Sequence, residues 1–438
     1  MGGSNMAKIN KFIISFSASV KELDISFENT TANPPKAVVQ RFVRIFREVD
    51  DPRSQGMIDY PLVEVLLITF LAVLGGAGNW AEISRFGKIK QRWLKKFLPL
   101  KNGIPSHDTF YRVFSLLDTK QLQEATVSFL MDNIQAIKKN LPKVPDEYRH
   151  LCVDGKEQRG TGRNYDTNEK IKNLQTLHIY DATNEICIYS EAIEEKTNEI
   201  PVAQKALQGI CLKQTIVTFD ALHMQKDTVS IIRDRKGDYV GGLKGNQAGL
   251  LEEAEAYFSE DDLLEFYKDK GDYYETSEKA HGKIETRRYY LVRPTKRKII
   301  KEWKGLKAFV CCVKTIKNIK DDKVKTEKRY YAASIDDIIL CAEAIRGHWS
   351  VENNLHWHLD YSMGEDDNTT MDKNAFNNLS LINKMVLTLC KLAKPITNAS
   401  SVRIQRKSFG WAYEDSLSIL LYCLDEKTIR EAMESVKV

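Results

Sequence analysis

No Cys-x-x-Cys pair occurs anywhere in the 438 residues, although the chain holds 8 cysteines. That combination argues against a zinc ribbon or a disulfide scaffold and favours a reducing compartment. Long apolar runs are also scarce. The one such run, Leu62 to Leu74, falls short of the ~18–20 residues of a membrane span and carries Glu64 inside it. It predicts a buried helix and no membrane partner. Charge of one sign is nearly balanced overall, 65 Lys and Arg against 60 Asp and Glu for a net +5, too little by itself to argue for nucleic acid. Internal repeats and low-complexity segments are lacking too. With 42% hydrophobic and 29% charged residues, a disordered, collagen-like or coiled-coil chain is excluded. At roughly 100–200 residues per domain the length suggests two to four units. No signal-peptide pattern is read at its start, Met1 to Met6 reads as an appended leader, and the expected location is cytoplasmic.

The mild total hides an uneven distribution. Arg85 to Lys101 holds seven cations and no acid; Glu252 to Glu278 has eleven acids against two lysines; Lys283 to Arg329 has seventeen cations against five acids. Basic blocks on a near-neutral chain are how a phosphate-binding surface looks in sequence, although any one of them could be a solvated face. Lys88, Lys90, Arg92, Lys95 and Lys96 in the first block, and Lys296, Arg297 and Lys298 in the last, are the candidate DNA contacts.

Val38 to Lys139 has apolar residues at helical spacing, broken by Gly103-Ile-Pro-Ser106. Ser106 or Asp108 could cap the following helix, which carries Arg112 on an early turn. A basic helix, a turn and a polar-fronted second helix resemble a helix-turn-helix, with Arg112 placed to read bases, though plain helix pairs look similar. From His150 the period changes to that of strands. His150 to Lys156 reads as a buried strand, Leu174 to Ala192 as a hairpin, and Thr215 to Phe219 and Asp238 to Leu243 as further strands with helices between. A three-strand meander followed by alternating helix and strand describes an α/β fold, a mixed sheet of the ribonuclease H type. Strand character at Tyr289 to Val292, Ala308 to Val313 and Arg329 to Ser334 predicts a β-rich insertion before helices resume at Asp336. The expected division is a leader and N-terminal extension (1–35), a helical DNA-binding domain (36–141), a catalytic core in two parts (146–257 and 335–395) split by the insertion (258–334), and a C-terminal helical tail (396–438).

Asp154 and Asp220 each end an apolar strand, where ligands of α/β sheets usually sit. Two carboxylates brought together there stay ionised only if a cation offsets their repulsion, and hard oxygen donors select magnesium or manganese over zinc. Each could instead merely cap a strand-to-helix turn. In a helix, His348, Glu352, His356 and Asp360 would be four apart and share one face, a plausible wall for such a site or else a helix packing its His and Trp into a core. A zinc pair would need His348 and His356, which are two turns apart where a zinc helix uses one.

These motifs, with Asp51-Pro-Arg53, Gly103-Ile-Pro-Ser-His-Asp-Thr109, His281-Gly-Lys-Ile-Glu285 and His348-Trp-Ser-Val-Glu-Asn353, together resemble the insertion-sequence DDE transposases associated with H-repeats and Rhs elements. The resemblance implies a ribonuclease H-like core in which Asp154, Asp220 and Glu352 hold two divalent ions, Mg2+ or Mn2+, for DNA cleavage and strand transfer. His348, His356 and Asp360 would support them. Double-stranded DNA, both element ends and target, would be the partner of a homodimer near the bacterial nucleoid. A nuclease that cuts without joining, or a DNA-binding protein without catalysis, is the alternative. The chain departs from a signature common in related transposases, having Ile345, His348 and Leu359 where Tyr, Arg and Lys would stand, which leaves Glu365 as a second choice for the third acid.

Overall fold

The computed structural model describes residues 36–138, 148–162, 172–193, 198–259, 261–280, 282–397 and 400–411. The expected leader and extension (1–35), His281 of the His-Gly-Lys-Ile-Glu motif and the tail beyond 411 lie outside the described residues.

Among the described residues five helices come first: α1 (Lys36–Phe46), α2 (Leu62–Leu74), α3 (Trp80–Leu94), α4 (His107–Leu116) and α5 (Thr119–Lys138). The apolar run from Leu62 forms α2, and because it is hydrophobic all round it is buried nearly all round. Its one acid, Glu64, accepts the Leu100 N–H at 3.2 Å. Asn79 caps α3 and Ser106 caps α4, accepting the N–H of Glu82 at 2.9 Å and of Thr109 at 3.2 Å. Of the two expected caps for α4, the structure uses Ser106.

The nine strands among the described residues are β1 (Arg149–Gln158), β2 (Leu174–Asp181), β3 (Ile186–Ile193), β4 (Thr215–Phe219), β5 (Asp238–Leu243), β6 (Tyr273–Ala280), β7 (Lys283–Val292), β8 (Ala308–Asn318) and β9 (Val324–Ala333). They form one sheet in the order β3-β2-β1-β4-β5-β9-β8-β7-β6. The first three make an antiparallel meander, β4 and β5 run parallel to β1, and β9 joins β5 antiparallel with Val240 opposite Ala333. The strands of the expected insertion therefore continue the central sheet. Helices α6 (Glu199–Gly209), α7 (Lys226–Asp234), α8 (Ala248–Tyr257), α9 (Asp261–Asp269) and α10 (Arg297–Glu302) intervene. A mixed α/β sheet with a helical N-terminal region is the architecture the periodicity predicts.

After β9 come α11 (Ile338–His348), a turn of π-helix (Glu352–His356), α12 (Trp357–Tyr361), α13 (Lys373–Thr397) and α14 (Val402–Trp411). Asp337 caps α11 by accepting two N–H groups, from Ile339 and Leu340, at 2.8 and 2.9 Å. The long α13 fastens the helical region to the rest. Asn374 Nδ2 donates to the carbonyls of Ser115 and Leu117 at 2.8 and 2.9 Å, and Asn378 Nδ2 to that of Phe114 at 2.8 Å. One core thus includes Phe42, Phe70 and Phe129 from the first helices, Ile382, Met385 and Leu389 from α13, and Tyr180 and Ile186 from the sheet.

Candidate active site

β1 and β4 lie side by side and parallel, with Val153 opposite Phe219. The next residue on each is an aspartate, so the register alone places Asp154 beside Asp220. Both are half-buried and line one cleft of about 720 Å³ with Glu352, His348, Lys244 and Arg329. Asp220 Oδ1 accepts the N–H groups of Leu222 at 2.9 Å and His223 at 3.4 Å. It therefore caps the turn after β4 as well as facing the cleft. Asp154 Oδ1 accepts the N–H of Gly155 at 3.0 Å. Burial, then the charges of Asp220 and Glu199, push the Asp154 carboxyl up to about 7, against the pull of the Gly155 N–H and His223. The position favours a proton or a cation.

Glu352 arrives on the helical segment that crosses β1. Gly347 lets that segment approach, because a Cβ there would stand 2.7 Å from the His150 ring. Beyond α11 the helix widens, and Trp357 N–H bonds back to the Glu352 carbonyl, five residues away. This corrects the expectation that His348, Glu352, His356 and Asp360 share one face, since four-residue spacing aligns side chains only in an uninterrupted α-helix. Glu352 is exposed and faces the cleft with His348. His356 is buried, its Nδ1 3.7 Å from Asp154 Oδ2 and its Nε2 2.9 Å from His178 Nδ1. Asp360 makes an ion pair with the buried Lys156, two residues after Asp154 on β1.

His348 Nδ1 lies 3.1 Å from Thr218 Oγ1, which His150 Nε2 approaches at 2.8 Å. Burial lowers His348 to about 4 and His356 to about 3, so both rings are neutral at pH 7. The two face different partners and do not form a zinc pair. Among the described residues no group of three His, Cys, Asp or Glu side chains is drawn together tightly enough to hold a metal ion as it stands. The three acids share a cleft without forming a closed cluster. Glu365, the second choice, is buried and accepts from Ser380 Oγ at 2.7 Å and Asn383 Nδ2 at 3.1 Å, and it does not line the cleft.

A second groove of about 520 Å³ adjoins the first, sharing Arg329, Tyr331, Ile345 and Trp349 and adding Lys283, Arg287, Lys314 and Arg346 beside Glu278 and Glu285. Of the candidate DNA contacts, Lys88 and Arg92 are exposed on α3, Lys95 and Lys96 are exposed just beyond it, Lys90 is half-buried, and Arg112 is exposed on α4. Lys296, Arg297 and Lys298 are exposed at the start of α10 and line neither cavity, and Lys296 is ion-paired with the buried Glu253. Sequence reasoning missed Lys156, Thr218, Glu199 and His223, which stand around the two aspartates. The glycine after Asp154 and the histidine three residues after Asp220 were the available signals.

Two family models match the chain, one described as DDE_Tnp_1-associated over residues 43–130 and one described as Transposase DDE domain over residues 145–389. "Putative transposase YncI" of Escherichia coli O157:H7 is 33% identical over 380 residues, 86% of this chain and 93% of that protein. "H repeat-associated putative transposase YhhI" of Escherichia coli strain K12 is 33% identical over 328 residues, 73% of this chain and 82% of that protein. Among solved structures, a piggyBac transposase synaptic complex with hairpin DNA aligns with 92% of this chain and 82% of its own at 12% identity and a TM-score of 0.40, too slight a likeness to bear on mechanism.

Proposed function

The chain belongs to the DDE transposase family, and from that premise we propose that it cleaves DNA at the ends of an insertion sequence and joins them to a target, with Asp154, Asp220 and Glu352 as its acids. The observation that carries this reading is the in-register pairing of β1 and β4, which sets two aspartates side by side in a cleft that also receives Glu352. An antiparallel meander followed by two parallel strands, in the order β3-β2-β1-β4-β5, supports a ribonuclease H-like core.

The residues present suit a hard divalent cation. All three cleft acids offer carboxylate oxygens, the His348 and His356 rings are neutral, and burial makes the charge on Asp154 costly unless something positive faces it. A pair of Mg2+ or Mn2+ ions would supply activation of a water or a DNA 3′-hydroxyl and stabilisation of the leaving oxygen. The chain's own part is to hold those oxygens, to fix His348 and His150 through Thr218, and to meet phosphate with Lys244 and Arg329 at the cleft. The exposed cations on and after α3, with Arg112 on α4, are the candidate duplex-binding surface. Holding both element ends while one site works on each calls for two protomers, hence a homodimer on DNA, acting in the cytoplasm where chromosomal DNA lies.

Incubation of the protein with the DNA flanking its own gene, with and without Mg2+, tests the reading. Joined products that need the metal are expected. Cut products alone would make it a nuclease, and binding without either would make it a DNA-binding protein that has lost catalysis.

A further inference from the structure

The acid trio leaves out a carboxylate on the other face of the sheet. Glu199 opens α6, fixed there by Asn198, whose Oδ1 accepts the Ile200 N–H at 3.0 Å. Side chains alternate along a strand. On β1 the odd residues Leu151 and Val153 pack with Val202 and Ala203 of α6, while Cys152 faces Gly347 and Ser350, and Asp154 faces His356, on the opposite side. Position 155 therefore points toward α6. It is a glycine, the Glu199 carboxylate lies directly against it, and any Cβ at this position would collide with that carboxylate. The missing side chain is what lets an acid from the α6 face reach the edge occupied by Asp154.

His223 stands behind this acid with 1% of its surface exposed and Nε2 3.4 Å from Glu199 Oε2. Neither of its ring nitrogens has a hydrogen-bond partner. A buried imidazole that makes no hydrogen bond, in loose contact with a carboxylate whose charge repels that of Asp154, is a costly arrangement unless a ligand completes it. We propose that Glu199, positioned by His223, is a fourth carboxylate of this site and holds a hard divalent cation together with Asp154, reaching it from the sheet face opposite Glu352. The inference rests on the metal-dependent reading above and adds to it a residue on an element the trio does not use.

The test is Mn2+ binding to the full chain without DNA, followed by calorimetry and by the rise in melting temperature, for wild type, Glu199→Gln, Glu199→Asp and Asp154→Asn. Glu199→Gln should weaken Mn2+ binding by about tenfold or more while leaving the metal-free melting temperature unchanged or slightly raised, because a repelling charge has gone. Glu199→Asp, which keeps the charge but shortens its reach, should recover part of the affinity. The proposal is overturned if Glu199→Gln binds Mn2+ like wild type while Asp154→Asn does not. It is equally overturned if Glu199→Gln lowers the metal-free melting temperature at unchanged affinity, for Glu199 is then only a structural partner of His223. Should Glu199→Gln fail to fold, unchanged affinity in Glu199→Asp overturns it and weakened affinity supports it. If Asp154→Asn also binds like wild type, the metal reading itself falls first.

Discussion

Asp154 is where stability and activity oppose each other. Its carboxyl is pushed up to about 7, chiefly by burial and then by Asp220 and Glu199. A group whose folded pKa is raised stabilises the fold below its unfolded pKa, near 4, and loses that contribution as pH rises through the folded value. The metal-free protein should therefore lose stability between about pH 4 and 7 from this residue, and regain it above pH 7 when Mg2+ or Mn2+ is added. Asp154→Asn should abolish cleavage yet melt higher than wild type at pH 8 without metal. A thermal denaturation series over pH for both proteins checks this, and an identical pH slope in the two would reject the assignment. Asp220→Asn and Glu352→Gln should also abolish cleavage while DNA binding, measured by gel shift, stays near wild type. The two aspartates were legible in sequence because each follows a short apolar run. The structure keeps Asp220 just past the end of β4 but corrects Asp154, which lies within β1 where its pairing with β4 stops while the strand runs on to Gln158 beside β2. Glu352 was legible only through the family resemblance, since its helical neighbours offered several equally placed groups. Glu199 and His223 were not legible, because what makes them matter is the glycine gap across the sheet.

The helical segment that delivers Glu352 depends on its π turn. The extra residue per turn keeps Glu352 facing the cleft while His356 and Asp360 turn back to β1. A widened turn loosens its carbonyls, and Lys391 Nζ takes the one at Asn354, at 2.7 Å. Lys391→Met should cost about 1–3 kcal/mol by leaving that carbonyl without its partner, read as a lower melting temperature. Deleting Asn354 should restore α-helical register and end cleavage, because Glu352 and the Lys156–Asp360 pair cannot then both be kept. Sequence periodicity does not reveal a single inserted residue, hence the mistaken shared face. It missed β6 and shortened β7, β8 and β9 for a different reason: the outer parts of those strands are rich in polar and charged residues and are exposed or only partly buried, so they lack the apolar–polar alternation that marks a strand in sequence. For α3 and α4 the helix pattern was plain. Alanine at Lys95 and Lys96 should weaken binding to every DNA and flatten its salt dependence, while Arg112→Ala should alter sequence preference. Equal losses on all sequences from both changes would mean that α4 reads no bases.

Across the whole molecule, the acidic and basic blocks that look so unbalanced in sequence partly neutralise each other. Arg288 meets Glu275 at 2.8 Å, Arg293 meets Asp272 at 2.9 Å, and Lys296 meets Glu253. The charge left to act on DNA is therefore better judged by which cations face the cavities than by the total of the block. Lys283, Arg287, Lys314 and Arg346 line the groove that continues the cleft, whereas Lys296, Arg297 and Lys298 do not, although within the groove Arg287 and Lys314 are paired with Glu285 and Arg346 with Glu278. Two sets of substitutions separate holding the fold from holding DNA. Lys296→Ala should lower the melting temperature, because the buried carboxylate of Glu253 loses its partner, and that loss should persist whether or not DNA is present. Alanine at both Lys283 and Arg346 should leave melting nearly unchanged but weaken binding of cleaved ends, and should reduce the slope of log affinity against log salt by about one for each phosphate left without its cation. An internal charge pairing responds to salt through stability and a phosphate contact through affinity, so the two readouts need not move together. If the Lys283 and Arg346 pair lowers melting and spares end binding, the groove is a seam of the sheet and DNA must leave the cleft by another side.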